Sequence, residues 1–400
     1  MRRKVLLALV ASCAIVGAVG VGVARADGPG YGTPAVVAVG DSAISGEAGR
    51  WAGNTNYSSY NVDALGPTAY YDNASNTGET IPGCHRSKAA EIFIGVGVLS
   101  ANLACSGART YTHWDGSTFK PGLDFYDDGA GHVGQAKALQ QYASSHNVKM
   151  VVALIGANDY GFADIVQQCV EDWLLSPSWW PDYCYDDSSI TWRFTSSNIA
   201  TITARVRNAY LNLLAAMRNA GYADSQWTFV AQTYSSPIPY GYQFRYSQSG
   251  YTRQSVGGCG MWNRDADWAN NTVVPTLNGT ITNALAQTGM TNGVVFDARN
   301  ALVGHRLCEN TVGLLEEVGI PNWRWPGAAD RTEWVSQIRT ATTIFGPYQL
   351  QEDLHPSYWG QLALRNCLRQ AWNGGAAHGG TCTHTSGGLD YLGEPNMSFG

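Results

Sequence analysis

Four short, nearly uninterrupted apolar runs constrain this chain more than any other feature. Residues 35–39 read Ala-Val-Val-Ala-Val, 149–155 Lys-Met-Val-Val-Ala-Leu-Ile, 227–231 Trp-Thr-Phe-Val-Ala, and 293–297 Gly-Val-Val-Phe-Asp. Runs so rich in β-branched residues, with little in–out alternation, suit strands buried on both faces of a parallel sheet. Between and after them lie stretches of helical period: 134–145, 197–221, 262–287 and 357–372. The second is the clearest, with Ile199, Ile202, Val206, Tyr210, Leu213 and Met217 at three-to-four spacing. Pro356 stands at the start of the last, where proline favours helix initiation. Strand then helix, repeated, predicts an α/β fold: a three-layer α/β/α sandwich around a mainly parallel central sheet.

Only 14% of the 400 residues are charged, against 44% hydrophobic, so the chain has the means to bury a core and is not a charge-rich disordered polymer. The net charge of −6 argues against a nucleic-acid partner held by phosphate contacts. Two stretches break the strand–helix alternation. One lies near 163–195, where four tryptophans fall between Cys169 and Trp192; the other is the Tyr-, Gly- and Pro-rich run near 234–261. Both are too long for ordinary connections and read as loop insertions stapled by disulfides. The expected organisation is a single domain over 27–385 and a Gly-rich, flexible tail over 386–400.

The first 26 residues read as a secretory signal peptide. Arg2, Arg3 and Lys4 form a positive start, Val5 to Val23 an apolar stretch, and Ala24-Arg25-Ala26 an A-x-A cleavage site. The expectation is a secreted protein beginning at Asp27, with no stable membrane insertion after cleavage. Its loss removes Cys13 and leaves eight cysteines. An even count in an exported chain reads as disulfides, although eight cysteines allow 105 connectivities. Sequential pairing is expected because each consecutive pair lies in one local segment. Zinc is a poor alternative, since no C-x-x-C, H-E-x-x-H or His-rich cluster occurs.

The first apolar run leads directly into Gly40-Asp41-Ser42, and open α/β sheets bind ligands at the carboxyl ends of their strands. Ser42 is therefore a candidate nucleophile, or Asp41 and Ser42 merely cap the next helix. The nucleophile elbow G-x-S-x-G is excluded by Ala43-Ile44. The trypsin-like order is excluded because no histidine precedes Ser42. His355, in Glu352-Asp353-Leu354-His355-Pro356 at a helix start beside acids, is a candidate general base. The second run ends in Gly156-Ala157-Asn158-Asp159, where the Asn158 amide could donate to a developing oxyanion. Gly107 closes another apolar run and lets a backbone N–H approach a ligand with no Cβ in the way.

Taken in this order, Gly40-Asp41-Ser42, Gly107, Gly156-x-Asn158-Asp159 and His355-Pro356 resemble the four sequence blocks of the SGNH (GDSL-type) hydrolase family. The resemblance spans roughly 37–372. The phrases Asn102-Leu-Ala-Cys-Ser-Gly-Ala108 and Gly304-His-Arg-Leu-Cys308 look like its secreted actinobacterial esterase/lipase branch. It implies an SGNH-like, flavodoxin-like sheet and two-step acyl transfer with Ser42 as nucleophile and His355 as base. Ser42, Gly107 and Asn158 would form the oxyanion hole, with no metal or other cofactor. It also implies the disulfides Cys84–Cys105, Cys169–Cys184 and Cys259–Cys308, leaving Cys367–Cys382 as an addition.

One position departs from the family pattern: Glu352 stands where aspartate is usual, three residues before the histidine. The group orienting His355 is then the Glu352 carboxylate, the Asp353 carboxylate, or the Asp353 backbone carbonyl, with position 353 favoured. The expected activity is hydrolysis of lipid or other small-molecule acyl esters by a monomer. The alternatives are a carbohydrate O-deacetylase and, in a different class, a catalytically inactive secreted binding protein.

Overall fold

The computed structural model describes residues 27–57, 59–338 and 352–400; the expected signal segment, 1–26, lies outside the described residues. The described residues form nine strands: β1 (Pro34–Gly40), β2 (Leu99–Asn102), β3 (His113–Asp115), β4 (Thr118–Lys120), β5 (Asn147–Leu154), β6 (Thr228–Gln232), β7 (Gly293–Asp297), β8 (Gly380–Leu389) and β9 (Pro395–Phe399). The longer helices are α2 (Gln135–Ala143), α3 (Phe162–Leu175), α5 (Ser196–Asn219), α8 (Val274–Thr288) and α10 (Tyr358–Trp372). The shorter ones are α1 (Ser42–Ser45), α4 (Ser188–Thr191), α6 (Thr252–Ser255), α7 (Asn263–Trp268) and α9 (Ala328–Arg331).

Seven strands form one sheet in the order β2-β1-β5-β6-β7-β8-β9, and β3-β4 form a separate hairpin. Every pairing from β2 to β8 is parallel, and only β9 runs antiparallel, against β8. The strands predicted from continuous apolar runs are the central ones. Residues 35–39 of β1 and 150–153 of β5 are wholly buried, as a sheet covered on both faces requires. The chain steps one way from β1 to β2 and the other way thereafter. Right-handed crossovers therefore put the β1–β2 connection on one face and α2, α5 and α8 on the other. The order reverses beside β1, and that is where open sheets form a crevice at their carboxyl ends.

The helix expected over 262–287 is interrupted. Its α7 portion passes through a π turn at Ala269–Val273 before continuing as α8. Pro275 explains this: it lacks an N–H, and its ring crowds the carbonyl four residues back.

Two expectations are corrected. The segment 386–400 is not a free tail, because it completes β8 and supplies β9. Its anchors are apolar: Met397 and Phe399 are buried, and Phe399 stacks on Phe296 of β7 with ring centroids 4.9 Å apart. The stretch near 163–195 is not only loop, since it includes α3, a 14-residue helix. Among the described residues there are four disulfides: Cys84–Cys105, Cys169–Cys184, Cys259–Cys308 and Cys367–Cys382.

Candidate active site

Ser42 is placed by a turn that only glycine can begin. Gly40 has φ 139°, and a Cβ there would meet the Leu154 carbonyl oxygen at 1.9 Å. The Gln135 side chain fixes this peptide from both sides, accepting from Gly40 N–H (2.7 Å) and donating to its carbonyl (2.8 Å). Asp41 then caps α1, its carboxylate accepting from Ala43 N–H at 3.2 Å. Ser42, the first residue of α1, is left at the carboxyl edge of the sheet.

His355 reaches the same point from the other end of the chain, its Nε2 lying 2.6 Å from Ser42 Oγ. Its Nδ1 lies 2.9 Å from the Asp353 main-chain oxygen. A carbonyl only accepts, so Nδ1 carries the hydrogen and Nε2 is free to accept from the serine hydroxyl. Leu354, between them, has φ 60°, a strained conformation for a leucine that turns the 353 carbonyl toward the ring. The loop is fastened to the preceding segment by Leu354 N–H to Ser336 O (3.1 Å), Ser336 N–H to His355 O (3.0 Å) and Ser357 N–H to Trp334 O (2.7 Å). Glu352 points elsewhere: its buried carboxylate accepts from Trp51 Nε1 at 2.7 Å and from the Tyr70 hydroxyl.

Gly107 and Asn158 border the same cavity as Ser42 and His355. Gly107 adopts φ 76°, the left-handed region that favours glycine, while a Cβ would make only ordinary contact with the Lys120 side chain at 3.4–3.6 Å. Asn158 lies in a 3-10 turn after β5 and spends one N–H on Ala108 O at 2.9 Å. Next to it, Asp159 accepts from the Thr110 N–H (3.0 Å) and hydroxyl (2.6 Å). The Gly107 and Asn158 loops are thus tied together. Tyr234 links the Asn158 loop to the serine turn, its hydroxyl donating to Asp41 and accepting from Ala157 N–H (3.0 Å). Burial pushes the Asp41 carboxyl up to about 7, against the lowering effect of its bonds from Tyr234 and Ala43.

The cavity measures about 760 Å³, in the range of small-molecule sites. One wall is α3, which presents Phe162, Val166, Val170 and Leu174 at every fourth residue. Leu277, Leu302 and Leu364 add further apolar surface. Among the described residues, no group of three or more His, Cys, Asp or Glu could hold a metal ion.

Sequence reasoning did not single out Glu47, Tyr234, Lys120 or the α3 stripe. The stripe had a signal, its period of four, but the nearby tryptophans and cysteines drew it into a presumed loop. The other three depend on contacts made only in the fold.

No family model and no curated protein matches this chain. Among solved structures it is similar to an extracellular lipase from Streptomyces rimosus. The sequence identity is 18%, the TM-score 0.41, and the match covers 82% of this chain and 95% of that one.

Proposed function

We propose that this protein is a secreted serine esterase acting on acyl esters with an apolar acyl chain. The observation that carries this reading is the relay from the Asp353 carbonyl through His355 to Ser42, with 2.9 and 2.6 Å contacts at the two ring nitrogens. In the proposed reaction His355 Nε2 takes the hydroxyl proton while Ser42 Oγ attacks the ester carbonyl carbon. The tetrahedral oxyanion is held by the Ser42 and Gly107 N–H groups and by the second N–H of Asn158. The C–O bond to the alcohol breaks, and His355 returns its proton to the leaving alkoxide. Water then attacks the acyl-enzyme with His355 again as base, releasing the acid and restoring Ser42.

The apolar α3 wall supports an acyl chain over an acetyl group on a sugar. Four disulfides support an exported protein. The test combines two measurements. Labelling with a serine-directed phosphonate, followed by peptide mass spectrometry, should place the adduct on Ser42. A p-nitrophenyl ester series from acetate to decanoate should give an optimum beyond acetate. No hydrolysis and no adduct would favour a binding protein, and an acetate optimum would favour a sugar deacetylase.

A further inference from the structure

One buried carboxylate in this region has no part in the reaction as proposed. Glu47 is fully buried, five residues after Ser42, on the turn that ends α1, where its N–H donates to the Ser42 carbonyl at 3.2 Å. Its Oε1 lies 2.7 Å from His85 Nδ1, and its Oε2 accepts from the Ser106 hydroxyl. These partners are not independent. His85 follows Cys84 and Ser106 follows Cys105, and the two cysteines form one disulfide. Ser106 N–H also donates to Cys84 O at 3.0 Å. The residue after Ser106 is Gly107. A single carboxylate thus joins the serine turn to the loop bearing a proposed oxyanion donor, and the disulfide holds both of its partners.

Burying a carboxylate costs several kcal/mol, and a well-packed apolar residue often does as well for stability alone. Despite burial, the Glu47 carboxyl stays below its ordinary range, held there by the bond to His85 and its charge and by the Ser106 hydroxyl.

We infer that Glu47 is a positioning residue, fixing Gly107 relative to Ser42 through Ser106, with His85 setting the carboxylate's orientation. The inference rests on the acyl-transfer reading. Oxyanion donors act mainly in the transition state, so a displaced Gly107 should lower kcat and leave KM nearly unchanged.

The test uses Glu47→Leu, Glu47→Gln and Ser106→Ala in the full, oxidised protein, with kcat and KM on p-nitrophenyl butyrate and folding checked by circular dichroism. Glu47→Leu keeps the volume and removes both bonds; kcat should fall about 10²-fold, as for a misplacement near 1 Å, with KM within threefold. Ser106→Ala should fall at least about tenfold, and combined with Glu47→Leu should add little, because both remove the same tie. Glu47→Gln keeps an acceptor for Ser106 and should recover most of the rate. A folded Glu47→Leu with kcat within threefold of the parent would overturn the inference. Equal losses in the Leu and Gln variants would overturn it too, since charge rather than bonding would then matter. If Glu47→Leu does not fold, Ser106→Ala decides alone: a tenfold loss in kcat at constant KM supports the tie, and an unchanged kcat overturns it. Phosphonate labelling of the parent separates the two levels: an unlabelled Ser42 defeats the acyl-transfer reading, whereas a labelled Ser42 with unaffected variants defeats only this inference.

Discussion

His355 donates through Nδ1 to the main-chain oxygen of Asp353, two residues back in its own loop. A backbone carbonyl fixes the tautomer but brings no full charge, and no side-chain substitution deletes it. Asp353→Asn should therefore keep kcat within about tenfold of the parent on a soluble ester. A carboxylate doing this work would instead lose about 10⁴-fold on conversion to the amide. Glu352→Gln should also keep kcat within about tenfold. Its cost should fall on stability, about 1–3 kcal/mol by denaturant titration, because Trp51 and Tyr70 both donate to that carboxylate.

Filling the α3 wall should change which ester is preferred while the chemistry survives. Val166 and Val170 both line the cavity. Val170→Trp should shift the p-nitrophenyl ester optimum toward shorter chains by two carbons or more, with kcat on acetate within about fivefold. An unchanged chain-length profile would mean that the acyl chain lies elsewhere.

Glu91 should make the fold less stable as pH rises. Burial pushes its carboxyl up to about 8, which the nearby Gln232 side chain and the charge of Arg365 only partly oppose. Unfolded, it ionises near its ordinary 4.5. Below that value both states hold the proton and there is no penalty. Between about 4.5 and 8 the unfolded chain releases the proton while the folded chain keeps it, so stability falls, and above about 8 the loss levels off. Glu91→Gln removes this contribution and should stabilise the protein at pH 8 by on the order of 4 kcal/mol. Urea midpoints at pH 5 and pH 8 check this. An equal gain at both pH values would show that ionisation is not the cause.

The central strands were legible in sequence because burial on both faces selects an unbroken apolar run, and β1, β5, β6 and β7 follow such runs closely. The hairpin of β8 and β9 was not. Residues 380–389 read Gly-Thr-Cys-Thr-His-Thr-Ser-Gly-Gly-Leu, the composition of a loop, and what orders them is remote, such as Phe399 against Phe296. The same division runs through the candidate site. Ser42 stood out because it follows the first strand and His355 because it precedes the last helix beside acids, and they lie 2.6 Å apart. Tyr234 could not be linked to Asp41 across 193 residues, nor Glu47 to His85 and Ser106, until the sheet brought β1, β2 and β5 side by side. Glu352 stood out by its position, but its contacts were not legible, since only the folded loop turns its carboxylate toward Trp51 and Tyr70.

Hydrolysis by this protein is proposed to pass through a covalent bond to Ser42, and the steady-state rate of Ser42→Ala on p-nitrophenyl butyrate tests this most directly. The expected result is a fall in kcat of at least about 10⁴-fold, with circular dichroism and thermal unfolding unchanged, because among the described residues the lost hydroxyl bonds to His355 alone, at the edge of the cavity. A folded Ser42→Ala protein that keeps kcat within tenfold of the parent would contradict the mechanism and move the nucleophile to another residue.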